Sequence, residues 1–78
     1  MKQETIDNII KAIQASDYDA KDAKIADSTK FGDIPGMDSM TIINFQMELQ
    51  SIIGAKAEQV VPVPDMTIGE FAELIDSL

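Results

Sequence analysis

An all-α fold, a small bundle of three main helices, is what this chain of 78 residues predicts. Three observations carry that expectation. Apolar residues recur at helical 3-4 spacing in three separate segments. The second and third of these open on a residue suited to cap a helix start. A glycine stands where the second segment has to stop, and a long polar stretch parts the first segment from it.

Ile6, Ile9, Ile10 and Ile13 fall at i, i+3, i+4 and i+7, with Lys2, Glu4, Asp7, Asn8, Lys11 and Gln14 on the other side. A first helix is expected over residues 2–15. From Ser16-Asp17 to about Met37 the chain turns polar, with Asp17, Asp19, Asp22, Asp27 and Asp33, then Gly32, Pro35 and Gly36. A loop of about 20 residues is uncommon in a compact domain and is usually functional or tied down. Phe31 is its best candidate core peg; Ile25 and Ile34 are the other large anchors after Tyr18.

Asp38 reads as an N-cap. Residues 39–53 contain no Gly or Pro, and Ile42, Phe45, Leu49, Ile52 and Ile53 form a 3-4 spaced stripe. Gly54 is a natural stop. Met40, Ile43 and Met47 lie off that stripe, so this helix carries more apolar surface than one core face needs. Pro62 and Pro64 break residues 55–65, leaving room for a short fourth helical turn over 57–63. Thr67 is the second cap, and Glu70 three positions on completes a capping box. The last helix is expected over 68–77, with Ile68, Phe71, Ala72, Leu74, Ile75 and Leu78 apolar. The whole of 1–78 reads as one domain.

Composition narrows the chemistry. Six Lys against fourteen Asp and Glu give a net charge of −8, and there is no His, Cys, Trp or Arg. Without His, no Ser-His or Cys-His nucleophile pair can form within the chain. Without Cys or His, the usual zinc and iron–sulfur ligand sets are missing, and there is no disulfide framework. The charge disfavours nucleic acid and anionic membranes and favours partners with basic surfaces. No apolar run approaches the roughly 20 residues of a membrane span. The first residues lack the apolar stretch of a signal peptide, so a cytoplasmic location is expected.

Two sites merit a chemical test. Asp17 and Asp19 could be the first ligands of a calcium loop. Lys21 then occupies a ligand position, Asp22 the glycine position and Ser28 the final glutamate position. The match fails at all three, and the segment reads as a solvated acidic loop. The second site is Gly36-Met37-Asp38-Ser39-Met40. Ser39 directly follows the cap, where free N–H groups and the helix dipole favour negative charge, so a phosphate on Ser39 would be well placed. With no His available, the role open to it is that of an acceptor modified by another enzyme. Asp-Ser-apolar alone is a weak signal, since Asp76-Ser77-Leu78 repeats it where no helix follows.

Context separates the two. Phe31-Gly32-Asp33-Ile34-Pro35-Gly36-Met37-Asp38-Ser39-Met40 resembles the attachment region of acyl carrier proteins, whose pattern is Phe, four residues, Gly, one residue, Asp-Ser-Leu. Phe31, Gly36, Asp38 and Ser39 match, and Met40 replaces Leu. The resemblance extends along the whole chain: an amphipathic first helix, a long loop, a helix opening on the serine and a Thr-capped last helix. It implies that Ser39 receives 4′-phosphopantetheine from coenzyme A through a phosphopantetheinyl transferase and magnesium, with Asp38 assisting. It implies a monomer that is not an enzyme, carrying acyl groups as thioesters between acyl-loading and acyl-processing enzymes. A chain without Cys fits, because the reactive sulfur arrives on the arm.

The departures matter too. Fatty-acid carriers have an acidic outward face on the serine helix; here Thr41, Asn44, Gln50 and Ser51 stand there, and only Glu48 is charged. The Asp-Leu usual before the Gly is Ile34-Pro35. A dedicated pathway is expected, polyketide or hybrid synthesis for example, with partners that contact Met40, Ile43, Asn44 and Met47. An aminoacyl or peptidyl carrier is the nearest alternative, and an unmodified helical interaction module of the same fold is a further one.

Overall fold

The computed structural model describes residues 2–17, 20 and 23–78. Three α-helices form where the sequence pattern asks for them: α1 (Lys2–Ser16), α2 (Ser39–Ile53) and α3 (Ile68–Asp76). Single 3-10 turns occur at Phe31–Asp33 and Ala55–Glu58. Among the described residues there is no strand, only one antiparallel bridge between Lys30 and Thr67.

The helices meet on three phenylalanines. Phe31, Phe45 and Phe71 are fully buried, with ring centroids 5.3 to 5.8 Å apart in tilted and edge-on pairs. Such geometry sets the positive edge of one ring against the negative face of another. α1 contributes Ile6, Ile9, Ala12 and Ile13, α2 contributes Phe45 and Leu49, and α3 contributes Ile68, Phe71, Ala72 and Ile75. Each large side chain so buried stabilises the fold by about 1.5–3 kcal/mol. Thr5 Oγ1 donates to Asp76 Oδ1 at 2.6 Å, tying α1 to the end of α3.

The long loop is tied down, and Phe31 is its peg. The chain on either side of Phe31 lies along the segment that leads into α3. The Phe31 N–H donates to the Met66 carbonyl at 3.0 Å and the Gly32 N–H to the Pro64 carbonyl at 3.0 Å. The Ile68 and Gly69 N–H groups donate back to the Thr29 and Asp27 carbonyls at 2.9 and 2.8 Å. The approach is close enough to need glycine. A Cβ on Gly32 would lie 3.0 Å from both the Cβ and the carbonyl oxygen of Pro64.

Four expectations change. The short helical turn sits at Ala55–Glu58, not over 57–63. Gly54, at φ 85°, ends α2, and its carbonyl accepts from the Ala57 N–H at 3.2 Å, so the chain coils again at once. Pro62 lacks the N–H that a helical turn over 57–63 would use. Ile52 is exposed, because the inward row runs Ile42, Phe45, Leu49, Ile53 and leaves Ile52 on the rim. Asp17 is buried, so the loop is not solvated throughout: its N–H donates to the Ile13 carbonyl at 2.8 Å, prolonging α1 into the core edge. The supposed loop also contains the turn at Phe31–Asp33. Tyr18, Asp19, Lys21 and Asp22, three of them positions of the calcium-loop comparison, lie outside the described residues. Among the described residues no three potential metal ligands gather, and no helix is long and apolar enough to cross a membrane.

Candidate functional site

A turn and a cap place Ser39. Ile34 is buried and Met37 half-buried against the core, so the two ends of the turn are anchored. Between them stand Pro35 and Gly36, and the Met37 N–H donates to the Ile34 carbonyl at 3.3 Å. Gly36 has φ 76°, the left-handed conformation that the third position of a type II turn requires. Pro at the second position presets that turn. The turn throws Asp38 and Ser39 outward, and both are exposed.

Asp38 takes extended backbone angles, φ −102° and ψ −175°, as an N-cap does. Its Oδ1 accepts from the Thr41 N–H at 2.8 Å, and its carbonyl accepts the first helical bond from Ile42 at 2.9 Å. The Thr41 N–H bond holds the Asp38 carboxyl below its ordinary value, because donation stabilises the charged form. The cap therefore stays ionised at neutral pH. Ser39 begins α2, with its hydroxyl at the positive end of a helix of 15 residues.

Ser39 is set apart from the other Asp-Ser pairs by position. The chain has three such pairs, at 27–28, 38–39 and 76–77. Asp27-Ser28 lies in the turn bonded to Gly69. Ser77 closes α3, and its Oγ donates to the Leu74 carbonyl at 2.8 Å. Of the three serines, Ser39 alone opens a helix.

Beside it runs an apolar face. Met40, Ile43 and Met47 are 73%, 57% and 64% exposed. They occupy the side of α2 opposite the buried Phe45 and Leu49, and exposed Asn44 adjoins them. These four residues are therefore brought to one surface with Ser39. Val61, 61% exposed, belongs to the same surface and is not legible in the helix spacing. Gln46 Nε2 donates to the Val60 carbonyl at 3.2 Å and pins that stretch of loop against α2. A shallow groove of about 190 Å³ results, lined by Ile43, Gln46, Met47, Gln50, Glu58 and Val61. Among the described residues its one charged wall is Glu58, which the helix pattern gives no means of placing.

No family model matches the chain, and neither curated proteins nor solved structures give a match.

Proposed function

We propose that the chain is an acyl carrier protein, with 4′-phosphopantetheine on Ser39. The observation that carries this reading is a solvent-exposed serine at the first position of a capped helix, behind an ionised aspartate and a Pro-Gly turn. A transferase needs the hydroxyl unobstructed. A phosphodiester formed there gains from the helix start, whose N–H groups and dipole favour an anion. In the transfer the Ser39 Oγ–phosphorus bond forms and the pyrophosphate bond of coenzyme A breaks. Adenosine 3′,5′-bisphosphate leaves, and the hydroxyl proton passes to the transferase. Asp38 keeps the helix start ordered and offers carboxylate oxygen to the transferase's magnesium. When bound, the group supplies a thiol that holds acyl cargo as a thioester. The carrier's own contribution is presentation, which raises the effective concentration of the cargo at each enzyme.

The surface beside Ser39 suits brief visits. Four exposed apolar side chains offer a few hundred Å² at most, against about 800 Å² per partner in a stable interface. α2 carries one charged residue, Glu48, so docking here relies on apolar contact around Met40, Ile43 and Met47 with Asn44 at the edge. That fits a dedicated set of acyl-loading and acyl-processing partners better than enzymes that select an acidic helix.

The test is incubation with coenzyme A, magnesium and a broad-specificity phosphopantetheinyl transferase, followed by intact mass. One phosphopantetheine addition, abolished by Ser39→Ala, is expected. No addition under conditions that fully modify a control carrier rejects the reading.

A further inference from the structure

We infer that the outer side of α3 is a second docking surface, for a cationic amphipathic segment of a partner protein. α3 buries Ile68, Phe71, Ala72 and Ile75. Its opposite stripe is Glu70, Glu73, Leu74 and Ser77, at i, i+3, i+4 and i+7. Between that stripe and Met66 lies a groove of about 370 Å³. Its apolar floor is Leu74, 42% exposed, with half-buried Met66, and Glu70 and Glu73 form its acidic rim. On the other side of the Glu70–Glu73 ridge a second depression includes Asp27.

Among the described residues, the charges that line the groove are of one sign. After Lys56 the chain has five carboxylates and no Lys or Arg. Lys30 acts on Glu70 from the loop but lines no part of the groove. Within α3, Glu70 and Glu73 stand one turn apart on one face, where like charges repel. The last turn of α3 has no basic residue, so Glu73 and Asp76 sit at the negative end of the helix dipole. Asp76 is engaged by Thr5. That end of the dipole favours neither carboxylate, whereas cations of a partner complement both the ridge and the dipole.

The occupant follows from this. A second copy would bring −8 of its own charge to an acidic groove, and nucleic acid or anionic lipid would be repelled likewise. A protein segment with an aliphatic residue for the floor and Lys or Arg for the rim matches both features. The groove shares no residue with the one beside Ser39. Phe45 and Phe71 meet inside at 5.8 Å, so α2 and α3 turn their outer stripes to separate faces. A partner held on α3 leaves Ser39 and its apolar face open to enzymes.

The experiment uses unmodified protein, so its outcome is independent of whether Ser39 accepts an arm. Isotope-labelled protein is titrated with a helical peptide bearing Leu on one face and Lys on the other, followed by backbone amide shifts. Shifts are expected to centre on residues 66–77, with affinity at least tenfold weaker at about 500 mM than at about 50 mM salt. Leu74→Ser weakens binding several-fold without changing charge. Glu70→Gln with Glu73→Gln weakens it further, and Gln at position 70 keeps the capping box. Asp7→Asn with Asp33→Asn removes the same charge elsewhere and leaves affinity within about twofold. Circular dichroism of each variant confirms an unchanged fold. Shifts centred on Met40 to Met47, equal losses in the two double variants, or no effect of Leu74→Ser would each overturn the inference.

Discussion

Replacing Phe31 with Leu tests the packing that holds the Ser39 turn in place. Phe31 takes part in two of the three ring pairs of the core, at 5.7 Å from Phe45 and 5.3 Å from Phe71. Each such pair contributes about 0.5–1.5 kcal/mol beyond its buried area. Leu retains most of the apolar burial but neither ring pair, so the cost is about 2 kcal/mol. A domain of this size has roughly 4–12 kcal/mol of stability in total. The loss is therefore a large share, and Tm falls by roughly 8–16 °C. Thermal unfolding by circular dichroism measures it, with Ile52→Ala as the control. Ile52 lies on the rim of α2, and its truncation costs within about 0.5 kcal/mol. If Phe31→Leu melts within about 2 °C of the control, the aromatic core does not anchor the loop, and the Ser39 turn must be held by something else.

Other consequences are measurable in the same way. Gly36→Ala forces an L side chain to φ 76° and should lower stability by about 1–2 kcal/mol, read as a drop in Tm; an unchanged Tm refutes the type II turn. Asp38 and Glu70 both have carboxyls held below their ordinary values, each first by a backbone N–H bond, from Thr41 and Thr67. The unfolded chain then binds protons more readily. Their contribution is fully present above the ordinary values of 3.8 and 4.5 and is lost as the pH falls through the lowered folded values. Tm should fall across that acid window, and less steeply in Asp38→Asn with Glu70→Gln, which keep the caps but do not titrate; equal slopes contradict the assignment. If the neutral α2 face selects dedicated partners, ketosynthases of housekeeping fatty-acid synthesis should use the loaded protein poorly. Thr41→Asp with Asn44→Glu should improve that use, and efficient turnover of the unaltered protein removes the idea.

The parts of the fold set by local chemistry are legible in the amino-acid sequence alone. α2 runs from Asp38 to Gly54 as its cap and stop require, and α3 opens on the Thr67–Glu70 box, with bonds of 3.1 and 3.0 Å in its two directions. Phe31 is legible as a peg because it is the one phenylalanine in the polar stretch between α1 and α2. The remainder is non-local. The bonds joining residues 27–32 to 64–69 link chain segments far apart in sequence, and neither segment has the alternating pattern of a strand. Gly32 and Gly69 are the available signals, since each stands where a Cβ would press on the other segment, on Pro64 and on Asp27. The turn at Ala55–Glu58 leaves no such mark, because its start depends on the backbone of Gly54 and not on an apolar stripe. At the site, Ser39, Asp38 and the Met40–Met47 face follow from helix spacing. Val61 joins them only through the Gln46 bond that fixes its loop.

The most direct measurement is peptide mapping by tandem mass spectrometry of the protein recovered from cells that make it. Three serines follow an aspartate, and one of them opens a helix. Phosphopantetheine is expected on the peptide containing Ser39 and on no other. The same group on Ser28 or Ser77, or a fully unmodified Ser39 in cells whose other carriers are loaded, would contradict the carrier reading.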